Sequence, residues 1–286
     1  MYAMTQLTLR FFGPFQVSID ATPITGFHSD KARALLAYLA LDPQEHARTA
    51  LATLLWPQIG DQYARTNLRN TLYRLRQTLD ASAPGVSDRL LTISRQTVHF
   101  NIDSAAVDVL QFQMLLAEAQ AAPSAKRKQL EAATALYQGE LLQGFEVADA
   151  APFEGWLRLH RELLHRQALL TFHLLATAHE DDGHYAQAYA VANRLLTLDP
   201  IREKTHQQMM RLLALLGQPS QALQQMEQLH RLLHEELGIE PAAETVALAK
   251  QIATGVFDKM TGRHDDKVTG GQGSVLGPPV IPSSGH

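Results

Sequence analysis

The chain of 286 residues is 45% hydrophobic and 19% charged, with a net charge of −4, and is long enough for two ordinary domains, each with its own core. No run approaches the roughly 18 apolar residues of a membrane helix, and the start MYAMTQLTLRFFG lacks the basic and apolar segments of an export signal, so a cytoplasmic location is expected. The absence of cysteine excludes disulfides, thiolate nucleophiles and cysteine-bearing zinc sites.

Along the chain, LTLRFFG, PFQVSID and TPITGF read as three short strands punctuated by Gly13-Pro14, Asp20 and Gly26. A first helix is expected from the capping pair Ser29-Asp30, carrying Ala34, Leu35, Tyr38 and Leu39 until Asp42-Pro43 ends it. A second spans Ala47 to Trp56 and stops at Pro57; Asp61 is expected to cap a third that runs to about Leu79. Beyond the Pro84-Gly85 loop, residues 90–93 and 97–102 alternate like paired strands around a tip at Ser94-Arg95-Gln96. Strands, three helices and a hairpin give the order of a winged helix-turn-helix over residues 1–103.

Charge is unevenly shared. Residues 1–103 hold 10 Lys and Arg against 8 Asp and Glu, and the remainder holds 15 against 21, so the basic surplus lies in the first third. On a helical wheel, Ala64, Leu68, Leu72, Leu75 and Leu79 fall on one stripe about 80° wide. Arg65, Arg69 and Arg76 line one shoulder of that helix, Asn67 and Arg74 the other, with Thr66, Asn70, Tyr73 and Gln77 on the crest between them. No glutamate sits at four-residue spacing to pair these arginines. Phosphates would supply the missing charge, leaving asparagine and arginine to reach base edges; the bland alternative is an ordinary solvated helix face. Arg95 at the hairpin tip is placed to meet a backbone or a minor groove, or is simply an exposed turn residue.

The stretches KARALLAYLALDP, ALATLLWP and ARTNLRNTLYRLRQTL, followed by the hairpin and then Val107-Asp108-Val109-Leu110-Gln111-Phe112, resemble the antibiotic-regulatory-protein (SARP) class of bacterial transcriptional activators over roughly residues 7–250. The resemblance implies an OmpR-type winged helix and then a helical bacterial transcriptional activator domain. It implies a recognition helix at Ala64 to Leu79 with Asn70, Tyr73 and Arg74 facing the groove, direct-repeat targets, and activation through a second copy of the chain or through RNA polymerase. Related wings often carry a glycine at the turn, whereas Ser94-Arg95-Gln96-Thr97 has none.

Residues 104–256 read as helical throughout. Gly183-His-Tyr-Ala-Gln-Ala and Gly217-Gln-Pro-Ser-Gln-Ala are offset by 34 residues, as are Leu195 and Leu229, which is the tetratricopeptide period. Two helical hairpins follow from it: Leu169 to Glu180 with Ala186 to Leu196, then Glu203 to Leu216 with Ser220 to Leu237. Asp108 to Gln120, Lys126 to Leu136 and Phe153 to His165 are expected as preceding helices. Such stacks offer a concave surface for a peptide or protein. Residues 257–286, rich in Gly, Pro and Ser, are expected to form a flexible tail. The expected fold class is thus mainly α with a small β component: a winged helix-turn-helix followed by a tetratricopeptide-like domain.

Among the 13 histidines, His160 with His165 and His179 with His184 are five apart, about 140° around a helix, so only His230 and His234 share a face. That pair lacks the glutamate and third ligand of a zinc hydrolase, so no metal and no cofactor are expected. Trp56 and Trp156 read as packing residues, Trp56 with base stacking as its alternative. With no nucleophile elbow, phosphate loop or H-E-x-x-H motif, the expected protein is not an enzyme. It is a transcriptional regulator, an activator by the resemblance, that holds double-stranded promoter DNA and contacts no membrane. The alternative from another class is a helical-repeat adaptor without DNA binding.

Overall fold

The computed structural model describes residues 7–121 and 126–255; the expected tail over 257–286 lies outside them. The chain opens with β1 (Leu7–Arg10), β2 (Gln16–Ile19) and β3 (Thr22–Pro23), and then α1 (Asp30–Leu41). Alternation places Leu7, Leu9, Val17 and Ile19 on one buried face. Ser29 caps α1, accepting from the Ala32 N–H at 3.2 Å. Next come β4 (His46–Ala47), α2 (Arg48–Leu55) and α3 (Asp61–Ser82). The N-cap of α3 is Gly60, with no side-chain cap, so Asp61 is the first helical residue and not the expected cap; its carboxylate still lies at the positive end of the helix dipole.

α4 (Val86–Leu90) continues from the Pro84-Gly85 turn, and β5 (Leu91–Ile93) and β6 (Thr97–Phe100) form the hairpin. β4, too short for its alternation to show, pairs with β6 through His46↔Val98, giving the order β4-β6-β5. A strand that the sequence pattern did not disclose, β7 (Ala105–Val107), pairs parallel with β1 and completes the sheet β3-β2-β1-β7. It lies just beyond residue 103.

The helical part follows as α5 (Asp108–Ala121), α6 (Lys126–Leu136), α7 (Ala151–Asp181), α8 (Tyr185–Leu198), α9 (Glu203–Leu215), α10 (Pro219–Leu237) and α11 (Ala243–Ala253). α7 is one helix of 31 residues, where two were expected. Nothing between His165 and Leu169 breaks a helix, and Ala168 and Leu169 are buried along it. The 34-residue offset is visible in the backbone. Gly183 and Gly217 both sit at φ 76°, a left-handed conformation that favours glycine. Each ends its helix the same way, with His184 N–H donating to His179 O and Gln218 N–H to Leu213 O, both at 2.8 Å.

One core runs through both parts. Leu9, Phe11, Leu35, Leu68 and Phe100 belong to the same buried cluster as Phe112, Tyr137, Phe153, Leu157 and Phe172. Trp156, expected as packing, stacks obliquely on Tyr38 of α1 at 4.9 Å. Two polar side chains, the buried Asp108 and the half-buried Arg161, hold the segments that meet at the join. Asp108, at the start of α5, accepts from the Phe11 and Phe12 backbone. Arg161 of α7 donates to the carbonyls of Leu141, Leu142 and Phe145 at 2.9, 2.7 and 3.0 Å. Relative movement of the winged helix and the helical array would break this core, so the array holds α3 in a fixed orientation.

Candidate nucleic-acid interface

The outward face of α3 exists because its inward face is committed. Ala64, Leu68, Leu72, Leu75 and Leu79 are buried where α3 packs against α1, α2 and α4, and replacing a fully buried leucine such as Leu68 by alanine would cost about 2–5 kcal/mol. With that stripe fixed, Arg65, Thr66, Arg69, Asn70, Tyr73, Arg74 and Gln77 are exposed, and Asn67 and Arg76 are half-buried. Tyr73 stands 63% exposed. Its hydroxyl accepts from Gln77 Nε2 at 2.8 Å, and Thr66 Oγ1 donates back to Gln62 O at 2.9 Å.

Two grooves flank the helix. The first, about 720 Å3, lies between the N-terminal half of α3, the start of α2 and the hairpin tip, and gathers Arg48, Arg65, Arg69 and Arg95 beside Asp61 and Gln96. Arg48 escaped the sequence reading. It belongs to the groove because β4 draws the start of α2 to the wing, where Arg48 N–H donates to Gln96 O at 2.8 Å and its Nη1 to Ser94 O at 3.1 Å. The second groove, about 460 Å3, runs along the opposite shoulder, where Asn67, Asn70 and Arg74 face Lys31 and Trp56. Lys31 lies 5.3 Å over the Trp56 ring, so one face of that indole is already occupied. Lys31 was likewise absent from the sequence reading.

The tip turns without glycine because Ser94 supplies the missing constraint. Its Oγ accepts from the N–H groups of Gln96 and Thr97 at 3.1 and 2.8 Å, and its own N–H donates to Thr97 O at 2.9 Å. Arg95 is left exposed at the apex.

Arg76 corrects the expectation that the arginines of this helix lack internal partners. It pairs with Asp88 of α4 and donates from Nε to Ser87 Oγ at 3.3 Å. Ser87 in turn donates to Asp80 from its N–H at 2.9 Å and its hydroxyl at 2.7 Å. Burial pushes the Asp80 carboxyl up, but the Ser87 hydrogen bonds and the nearby Arg76 charge outweigh it and hold its pKa below the ordinary value. Arg76 therefore ties α3 to α4. Arg65, Arg69 and Arg74 have no ion pair among the described residues.

The histidines find local roles. His160 Nδ1 lies 2.8 Å from Trp156 O, His165 Nδ1 lies 3.2 Å from Tyr137 OH, and His230 Nε2 meets Glu240 at 2.8 Å. His179 and His184, which a continuous helix would separate, approach to 6.1 Å between ring centroids because α7 ends between them. Among the described residues no group of three histidines and carboxylates could hold a metal ion, and no helix is long and apolar enough to cross a membrane.

Comparison with known proteins gives three likenesses. The family model described as "bacterial transcriptional activator domain" matches residues 107–253, just over half of the chain. "Regulatory protein AfsR" of Streptomyces coelicolor is 30% identical over 259 residues, covering 85% of this chain. The chain spans only 24% of that relative's length. Among solved structures, "Mycobacterium tuberculosis EmbR in complex with low affinity phosphopeptide" superposes with a TM-score of 0.65 at 24% identity, over 88% of this chain and 66% of that one. This last likeness speaks for the fold alone.

Proposed function

This chain belongs to the bacterial transcriptional activator domain family, in its SARP-type form, and on that premise we propose that it activates transcription by binding double-stranded promoter DNA through α3 and the wing. The observation that carries the reading is the convergence of Arg48, Arg65, Arg69 and Arg95 on one groove with a single carboxylate, Asp61. Such a groove follows a phosphate backbone, whose condensed counterions are released as the arginines dock. Asn70 and Tyr73 of the crest, with Arg74 on its shoulder, then meet base edges: arginine reads guanine and asparagine reads adenine in the major groove.

In this reading residues 1–103 hold the DNA in the cytoplasm, and residues 104–256 present a helical array to protein partners, RNA polymerase and a second copy of the chain being the candidates. No covalent chemistry and no cofactor enter the proposal. The test is fluorescence anisotropy on a duplex selected by the protein from a random pool, titrated across salt. With four to six phosphate contacts, log K should fall linearly with log salt with a slope of about −4 to −5. Absence of binding, or affinity indifferent to salt, would overturn the proposal in favour of a protein-docking adaptor.

A further inference from the structure

The second groove is not built by the winged helix alone. Its far wall is the loop 144–149 of the helical domain, where Val147 and Ala148 stand opposite Lys31, Asn67, Asn70 and Arg74. We propose, resting on the DNA-binding reading above, that the DNA-receiving surface continues onto this loop, and that Asp149 there opposes a duplex strand drawn in by Lys31. The loop thereby selects against backbone contact that does not also satisfy the α3 crest.

The loop is rigid enough for the task. Arg161 holds the carbonyls of Leu141, Leu142 and Phe145. The Val147 N–H donates to Glu154 Oε1 at 2.7 Å. Phe145 is buried, stacks on Phe15 of the winged helix at 6.3 Å and lies under the Arg33 guanidinium at 5.7 Å. Between these anchors Glu146, Ala148 and Asp149 remain exposed. Asp149 itself is held at φ 55°, a conformation that aspartate and asparagine accept more readily than other side chains with a Cβ. Asp149 directly follows the two lining residues Val147 and Ala148, and its carboxylate opposes the lowering of the Lys31 pKa by burial.

Both halves of the proposal can be tested on the intact chain. Asp149→Asn suits the left-handed backbone, so it removes charge without strain. On a random duplex at about 50 mM salt it should tighten binding about two- to threefold, the order expected of one unit charge near a phosphate in a water-like dielectric. On the selected duplex the gain should be smaller, so the ratio between the two falls. The gain should fade as salt is raised. Lys31→Gln should weaken both duplexes, and Ala148→Arg should tighten both. An unchanged melting temperature checks that each variant is folded. Affinities unmoved by all three substitutions, while Arg74→Ala weakens binding, would end the DNA surface at α3 and overturn the inference alone. A wild-type protein that binds no duplex at any salt would overturn this inference and the DNA-binding reading together.

Discussion

The carboxylate of Asp108 accepts the backbone N–H of Phe11 at 3.0 Å through Oδ1 and 2.9 Å through Oδ2, across 97 residues of sequence. Phe12 N–H adds a third bond at 2.9 Å and Val109 N–H a fourth at 2.7 Å. One buried side chain thus terminates β1 and starts α5. Asp108→Ala would leave the N–H groups of Phe11 and Phe12 without an acceptor in the core, at about 1–3 kcal/mol each. Urea denaturation should show an unfolding free energy lowered by a total of about 2–6 kcal/mol. Because one core spans both parts, the loss should appear in a single transition and not as early melting of the winged helix alone.

The arginines of α3 should separate into three classes. Arg65 is exposed in the groove that faces the wing, without an ion pair among the described residues. Arg65→Ala should weaken DNA binding about equally on all sequences and flatten the salt slope by about 1. Arg76→Ala should leave that slope unchanged and lower thermal stability instead, by about 1 kcal/mol or less, because the pair with Asp88 is 42% and 70% exposed at its two ends and screened by water. Arg74→Ala, on the crest side, should cost about 1–3 kcal/mol of binding and relax sequence preference. Anisotropy on selected and random duplexes distinguishes all three.

The contrast between Arg65 and Arg76 marks where sequence reading reaches its limit. The leucine stripe of α3 was legible because helix period and burial are local. The Asp88 partner of Arg76 was not, because it lies 12 residues on, after a turn, where four-residue spacing says nothing. β4 and β7 were hidden for a related reason: strands of two and three residues hold too little alternation to register and exist only through pairing with β6 and β1. Their absence from the reading also hid Arg48, which only β4 brings to the wing. In the helical part, the repeat period located Gly183 and Gly217, but it imposed a break on α7 at a point where no residue demands one.

His206, fully buried at the start of α9, predicts how the array responds to acid. Its Nε2 lies 2.8 Å from Pro200 O and its Nδ1 2.6 Å from Gln225 Nε2. The neutral ring satisfies both, donating to the carbonyl and accepting from the amide. Burial lowers its pKa from the usual 6.5, against the opposing pull of Pro200, and burial lowers those of His173 and His179 as well. A base with a depressed folded pKa gives its full stability above the unfolded value. That stability is lost as pH falls from about 6.5 toward the folded pKa, because the unfolded chain takes the proton first. The melting temperature followed by circular dichroism should therefore hold between pH 8 and 7 and drop below about 6.5. His206→Gln should be less stable at neutral pH but show a shallower acid limb.

Ser94 makes the last prediction, about the wing. Its hydroxyl oxygen fixes the turn by accepting from Gln96 N–H and Thr97 N–H, while Thr97 Oγ1 in turn donates to Glu45. Removing an exposed acceptor costs little in folding, since water replaces it, about 1 kcal/mol at most. What Ser94→Ala releases is the position of Arg95. The wing guanidinium then has to be ordered on binding, at an entropic cost of about 0.5–1.5 kcal/mol. DNA affinity should drop by about two- to tenfold with the melting temperature nearly unchanged. Ser94→Asn, which can bond its own backbone two residues on, should recover part of the loss. If Ser94→Ala binds DNA as tightly as the wild type while Arg95→Ala does not, the wing contact forms without preorganisation of the tip.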